Sequence, residues 1–97
     1  MKTFTSTESK EFLLNLQFWE FADNAIERHF VFKNFSESLA FIIQIGLLAE
    51  KAEHHPEIIN VYNKVNLRLN THDWNGVTTK DFDLAKKINA LFSIDSK

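Results

Sequence analysis

From Asn34 to Pro56 the sequence reads NFSESLAFIIQIGLLAEKAEHHP, and no other stretch restricts the fold so severely. Asn34, with Glu37 three residues on, is a capping-box-like helix start. A residue that precedes proline is pushed out of helical backbone, so His54-His55-Pro56 is a stop. The spacing predicts a helix of about five turns. Phe35, Leu39, Ile42, Gly46 and Ala49 follow a 3, 4 spacing, and Phe41, Ile45, Leu48 and Ala52 form a second apolar stripe displaced around the axis. One sheet cannot cover both stripes. The second is therefore expected to meet another helix, in this chain or in another subunit, and self-association into a homodimer or homotetramer is expected.

The flanking sequence supplies shorter elements. Thr7–Leu16 is predicted as an opening helix capped by Ser6 or Thr7, with Phe12, Leu13 and Leu16 on one side. Phe18–Phe21 and Ala25–Phe32 are predicted strands joined at Ala22-Asp23-Asn24, where Asp and Asn tolerate turn geometry. In the second strand Ile26, Arg28, Phe30 and Phe32 share one face, and Glu27, His29 and Val31 the other. After Pro56, Ile58–Tyr62 and Val65–Thr71 form a predicted hairpin around Asn63-Lys64, with Val65, Leu67 and Leu69 on the dry face. Thr78 and Asp81 cap a last helix carrying Phe82, Ala85, Ile88, Ala90, Leu91 and Phe92, and only the Ser93–Lys97 tail looks expendable. The order α-β-β-α-β-β-α predicts an α+β fold of two layers, a four-stranded antiparallel sheet with helices on one face.

Composition limits what such a fold can be. Ninety-seven residues, of which 44% are hydrophobic, suffice for one modest core and for a single domain spanning 1–97. Ten phenylalanines and two glycines argue against disorder. A formal charge of -2 gives no general attraction for nucleic acid or anionic membranes. With no cysteine there is no disulfide, thiolate nucleophile or sulfur-ligated metal, and MKTFTSTESKEF has no apolar signal core, so a cytoplasmic location is expected. No apolar run reaches the roughly 18–20 residues of a membrane span.

Three of the four histidines cluster around the predicted stop and the hairpin that follows it. His54 and His55 end the long helix, and His72 ends the last strand, so a hairpin that folds back brings the two places together. A zinc site is disfavoured, because the adjacent pair lacks the i, i+4 spacing and an evident inward carboxylate, and no metal or other cofactor is expected. A serine hydrolase is disfavoured because no G-x-S-x-G-like turn is present. Proton transfer suits imidazole, whose reference pKa is about 6.5. The negative end of the helix dipole and the carboxylates of Glu50 and Glu53 favour a protonated ring at His54, as a general acid requires. His29, isolated on a strand, reads as a surface residue.

The array Glu50-x-x-x-His54-His55-Pro56, five residues, Tyr62, nine residues, His72, eight residues, Asp81 resembles the signature of the pterin-4a-carbinolamine dehydratases. It fixes seven positions over thirty-two residues, and "AEKAEHHP", "NVYNKV" and Phe30-x-Phe32-x-x-Phe35 are similar to the family as well, so about eighty residues are covered. The first strand is the loosest part, since either Phe18 or Trp19 could stand where family members carry a tryptophan.

The resemblance implies dehydration of a 4a-hydroxytetrahydropterin to the quinonoid dihydropterin, the step that recycles tetrahydrobiopterin after aromatic amino acid hydroxylation. It implies His54 and His72 as the principal acid–base pair, His55 holding and polarising the substrate, and Glu50 or Glu53 orienting a histidine. Glu53, His54, His55, Asn70, Thr71, His72 and Asp73 would line the pterin site. Pro56 is read as a helix stop and Tyr62 as packing beside the site. Asp81 has two roles open, a helix cap or the orientation of His72, and Trp74 either stacks on the pterin or packs its loop. The alternative is a non-catalytic pterin-binding or protein-dimerisation module of the same fold, since some animal members serve as dimerisation cofactors of a homeodomain transcription factor.

Overall fold

A computed structural model describes residues 1–95, with side chains through 92. The elements run α1 (Ser6–Leu13), β1 (Glu20–Ala22), β2 (Ala25–Val31), α2 (Phe35–Ala52), β3 (Glu57–Val61), β4 (Lys64–Leu69) and α3 (Thr79–Asp95), with a single 3-10 turn at His72–Trp74. The strands form one antiparallel sheet in the order β1-β2-β4-β3. This is the predicted α+β arrangement, three helices on one face of a four-stranded sheet. Of the tail Ser93–Lys97, the backbone to Asp95 continues α3, and Ser96 and Lys97 lie outside the described residues.

Local chemistry sets where the elements begin. Asn34 accepts from the Glu37 amide at 2.9 Å, and Glu37 in turn accepts from the Lys33 amide, so α2 starts as its sequence predicts. The opening helix starts earlier than expected, because Thr5 and Glu8 form a reciprocal capping box and displace Ser6 and Thr7 from that role. It also ends earlier, and Leu14, Asn15 and Leu16 close it with tight i to i−3 bonds that bury Leu16.

Two strand expectations shift. Phe18 has φ 77°, a left-handed backbone that cannot extend, so β1 shrinks to Glu20–Ala22. The hairpin turn falls on Tyr62-Asn63 rather than Asn63-Lys64, with Tyr62 at φ 52° and the Asn60 side-chain Nδ2 donating to the carbonyls of Tyr62 and Lys64. The β1–β2 turn is as predicted, with Asp23 and Asn24 at φ 50° and 62°, the geometry of a tight two-residue hairpin.

The core lies between helices and sheet. Ile26 and Phe30 of β2, Val65, Leu67 and Leu69 of β4, and Phe82, Leu84, Ala85 and Ile88 of α3 are buried, each apolar side chain contributing about 1.5–3 kcal/mol by transfer from water. Arg28 shares that face, as its position in the strand predicts, and is 6% exposed. Its guanidinium lies 4.3 Å from the Phe30 ring centroid and 4.4 Å from that of Phe18, and it donates to Asn89 Oδ1, which also accepts from the Trp19 indole. Burial pulls the Arg28 pKa below its ordinary value.

The stripes of α2 sort differently from the expectation. Phe41 and Ile45 enter the core with Leu48 and Ala52 partly buried, and Phe41 meets α3 through Phe92, so the second stripe does find a helix in this chain. It is the first stripe that lacks cover. Ala49 is buried and Ile42 half-buried, whereas Phe35 and Leu39 are exposed and continue along an i+4 row with Ile43 and Leu47. The reason is rotation: the sheet takes the sector centred on Ile45, which leaves the 35–39–43–47 row outward.

Candidate active site

Helix α2 stops by reversing its own backbone. Glu53 adopts a left-handed conformation, φ 54° and ψ 38°, and the amides of Glu53 and His54 bond back to Glu50 and Ala49 carbonyls. Pro56 then prevents any return to helix. Because the chain turns so sharply, two consecutive histidines leave in different directions. His54 points in, its side chain 11% exposed, and His55 points out, at 65%.

On the other side, β4 runs antiparallel to β3 and returns Asn70, Thr71 and His72 to the end of α2. A short bridge between Thr71 and Gly76 closes the loop that follows, with His72 and Asp73 on its 3-10 turn. The N-terminal segment fastens this loop, since Thr3 Oγ1 donates to the Trp74 carbonyl and the Phe4 amide to the Val77 carbonyl. Gly76 is needed there, because a Cβ would stand 2.5 Å from Thr3 Cγ2.

The result is a cleft of about 250 Å³ lined by Glu53, His54, His55, Asn70, Thr71, His72, Asp73 and Lys80. All seven residues expected to line a pterin site fall on this one cleft, joined by Lys80, which no sequence pattern singled out. Glu50 is not on the lining; it bonds His55 Nε2 at 2.7 Å on the surface. Tyr62 is not beside the cleft, as had been expected, because the turn it occupies is at the opposite end of the five-pair β3–β4 ladder. Trp19 is buried in the core and Phe18 packs under Arg28, so neither forms the cleft's edge. Trp74 is exposed on its loop and is absent from the lining. His29 is exposed on the open sheet face.

Asp81 binds the other histidine from the one expected. It lies fully buried at the first turn of α3, and His54 Nε2 is 2.5 Å from its Oδ1. Its Oδ2 accepts from the Thr71 hydroxyl at 2.8 Å and from the Thr78 amide at 2.9 Å. Asp81 therefore fills the helix-cap role and orients His54 rather than His72, whose ring makes no hydrogen bond among the described residues.

The proton positions in this network follow from chemistry. A carboxylate accepts and does not donate, so Thr71 spends its hydroxyl proton on Asp81 and must accept from Thr78, 2.7 Å away. Thr78 accepts in turn from the Lys80 amide. For the same reason His54 must present Nε2–H to Asp81, which leaves Nδ1 as the nitrogen able to take or give a proton. Among the described residues, no group of three or more His, Cys, Asp or Glu side chains is placed to hold a metal ion. Among the described residues, no helix is long and apolar enough to cross a membrane.

Known proteins are similar to this chain in sequence and fold. The family model described as pterin 4 alpha carbinolamine dehydratase matches residues 2–91. A protein of Mesorhizobium japonicum, provisionally named pterin-4-alpha-carbinolamine dehydratase, is 50% identical over 82 residues, covering 82% of this chain and 84% of its own. One from Sulfolobus acidocaldarius, named the same way, is 44% identical over 84 residues, 87% of this chain and 92% of its own. The crystal structure of a transcriptional coactivator/pterin dehydratase from Brucella melitensis superposes with a TM-score of 0.85 at 45% identity, covering 92% of this chain and 97% of that one. The chain belongs to the pterin 4 alpha carbinolamine dehydratase family.

Proposed function

We propose that this protein dehydrates 4a-hydroxytetrahydropterins to quinonoid dihydropterins by histidine acid–base catalysis, as in tetrahydrobiopterin recycling. The observation that carries this reading is the His54–Asp81 couple, set into one wall of a cleft whose other wall carries His72. The reaction breaks the C4a–O bond and forms the C4a–N5 double bond. One proton goes to the departing hydroxyl, which leaves as water, and one comes off N5, so the balance is a plain elimination of water. Two imidazoles can divide that work near neutrality, each proton transfer being worth about 10²–10⁴-fold. His54 acts through Nδ1, its other nitrogen being committed to Asp81; His72 is its counterpart, and His55, braced by Glu50, holds and polarises the substrate. Glu53, Asn70, Thr71 and Asp73 line the ring's place in the cleft.

The test is single-turnover dehydration of a freshly generated carbinolamine. His54→Ala and His72→Ala are each expected to slow it by about 10²-fold or more, His72→Ala with the fold and oligomer mass intact and His54→Ala with lowered stability because it uncovers the buried Asp81. Unchanged rates in both variants overturn the catalytic assignment and leave the non-catalytic pterin-binding module.

A second, compatible role has its own support. The exposed row Phe35, Leu39, Ile43 and Leu47 is an uncovered apolar face on a five-turn helix, and we infer that it self-associates into a dimer or tetramer. The adjoining groove between Val31 and Phe92, about 380 Å³ and mostly apolar, extends the same face. Ile43→Lys is expected to lower the mass seen by sedimentation. A wild-type protein that sediments as a monomer overturns the inference.

A further inference from the structure

Of this chain's asparagines, only Asn75 is followed by glycine. It is exposed on the loop that carries His72 and Asp73, outside the lining of the cleft, and its backbone is left-handed, φ 48° and ψ 48°, which asparagine tolerates. The Gly76 N–H next to it meets no acceptor in hydrogen-bonding geometry among the described residues, because its partner across the bridge, the Thr71 carbonyl, accepts from the Trp74 amide instead. A side-chain amide beside an uncommitted peptide nitrogen, with no side chain on the next residue to obstruct it, is open to attack by its own backbone. We propose that Asn75 is a self-modification site, converting through a cyclic imide to isoaspartate and thereby releasing the loop that holds His72.

The chemistry needs only water. The Gly76 nitrogen gives its proton to solvent and bonds to Asn75 Cγ; the Cγ–Nδ2 bond breaks, and ammonia leaves with a proton from solvent. Water then opens the imide at one of its two C–N bonds. Cleavage at Cγ gives aspartate in an ordinary chain. Cleavage at the backbone carbonyl carbon gives isoaspartate, whose main chain passes through Cβ and is one atom longer. The closed loop resists the first step, because the carbonyls of Trp74, Asn75 and Gly76 are each held by a donor from elsewhere: Thr3 Oγ1 at 2.6 Å, Asn24 Nδ2 at 2.9 Å and the Thr71 amide at 2.8 Å. The peptide plane between Asn75 and Gly76 must turn to bring nitrogen onto Cγ, so the imide forms from the opened loop, at a rate set by how often it opens. A larger neighbour cannot shield the site. A Cβ on Gly76 would stand 2.5 Å from Thr3 Cγ2 and 3.2 Å from Asn24 Oδ1, so the fold requires the residue that leaves Asn75 vulnerable. In the isoaspartyl chain the extra atom falls between the Asn24 and Thr71 bonds, which can no longer both form, and a new negative charge joins Asp73 beside His72.

The experiment ages the full-length protein in warm, mildly alkaline buffer and follows peptide masses, isoaspartate content, amide exchange and dehydration rate. Asn75 is expected to convert ahead of every other asparagine, yet more slowly than in a free peptide spanning Thr71 to Lys80. Thr3→Ala removes one of the three restraints and is expected to convert about two- to tenfold faster, the worth of one hydrogen bond. Asn75→Gly keeps the left-handed backbone, has no amide to lose, and is expected to hold its activity throughout. The isoaspartyl form, separated by chromatography, is expected to lose amide protection at Thr71 and to dehydrate substrate about 10²-fold more slowly, as a displaced catalytic group does. Conversion no faster at Asn75 than elsewhere, an unchanged rate in Thr3→Ala, or an isoaspartyl form that keeps Thr71 protection would each overturn the proposal. Only the turnover readout rests on the dehydratase reading: no turnover from unaged protein overturns that reading, while masses and Thr71 exchange still decide the modification.

Discussion

His54 and His55 are neighbours in sequence, and each places Nε2 against a carboxylate, at 2.5 Å from Asp81 and 2.7 Å from Glu50. The surroundings differ. The first pair is 11% and 0% exposed, with the carboxylate held by two further donors; the second is 65% and 79% exposed and held by nothing else among the described residues. Water screens the outer pair and lets both side chains wander, so it adds about 0–1 kcal/mol. The inner pair has exchanged water for fixed partners, and removing one leaves a buried group without compensation. Identical chemistry thus gives a defined tautomer in one case and a loose tether in the other. A histidine–carboxylate pair becomes a positioning device through its second set of hydrogen bonds, more than through its own length.

The sharpest way to break this comparison is Asp81→Asn. An amide oxygen can still accept from Thr71 and Thr78, but its NH₂ then faces His54 Nε2, so the pair is lost or the imidazole is forced into the other tautomer. Loss of about 3–5 kcal/mol in denaturant unfolding is expected, with turnover falling alongside. Thr71→Val comes next, keeping shape but deleting the hydroxyl that links Thr78 to Asp81. It should lose about 1–3 kcal/mol and alter the pH profile of kcat, and Thr71→Ser should restore both. The smallest effect belongs to Glu50→Gln, expected to change stability by less than about 1 kcal/mol and kcat by only a few-fold. A Glu50→Gln effect as large as that of Asp81→Asn would erase the distinction between the pairs.

Much of the frame was legible because its signals are local. Asn34 with Glu37, Asp23 with Asn24, and alternation in β2 and β4 each act over a few residues, and each element stands where those residues put it. The cleft's lining was expected from the family resemblance, and the seven-position array itself supplies only His54, His55 and His72 to it. What it does not encode is the choice of partner. Asp81 lies 27 residues from His54 and nine from His72, and the longer separation prevails because a left-handed Glu53 swings His54 inward. No glycine marks that turn, so nothing in the sequence announces it. The early hairpin turn escaped similarly, Tyr62 being an unusual residue at φ 52°. Exposure of the 35–39–43–47 row depended on helix rotation, which two competing stripes left undetermined.

The clasp of Thr3 and Phe4 on the Trp74–Val77 loop has a consequence in time. These contacts join residues 71 and 73 positions apart, so the loop bearing His72 is pinned only once two segments far apart in the chain have met. Contacts of such long range come late, after the hairpins have formed, because ring closure over so many links carries a large entropic cost. Refolding should therefore recover helical circular dichroism before it recovers amide protection at Phe4, whose N–H donates to the Val77 carbonyl.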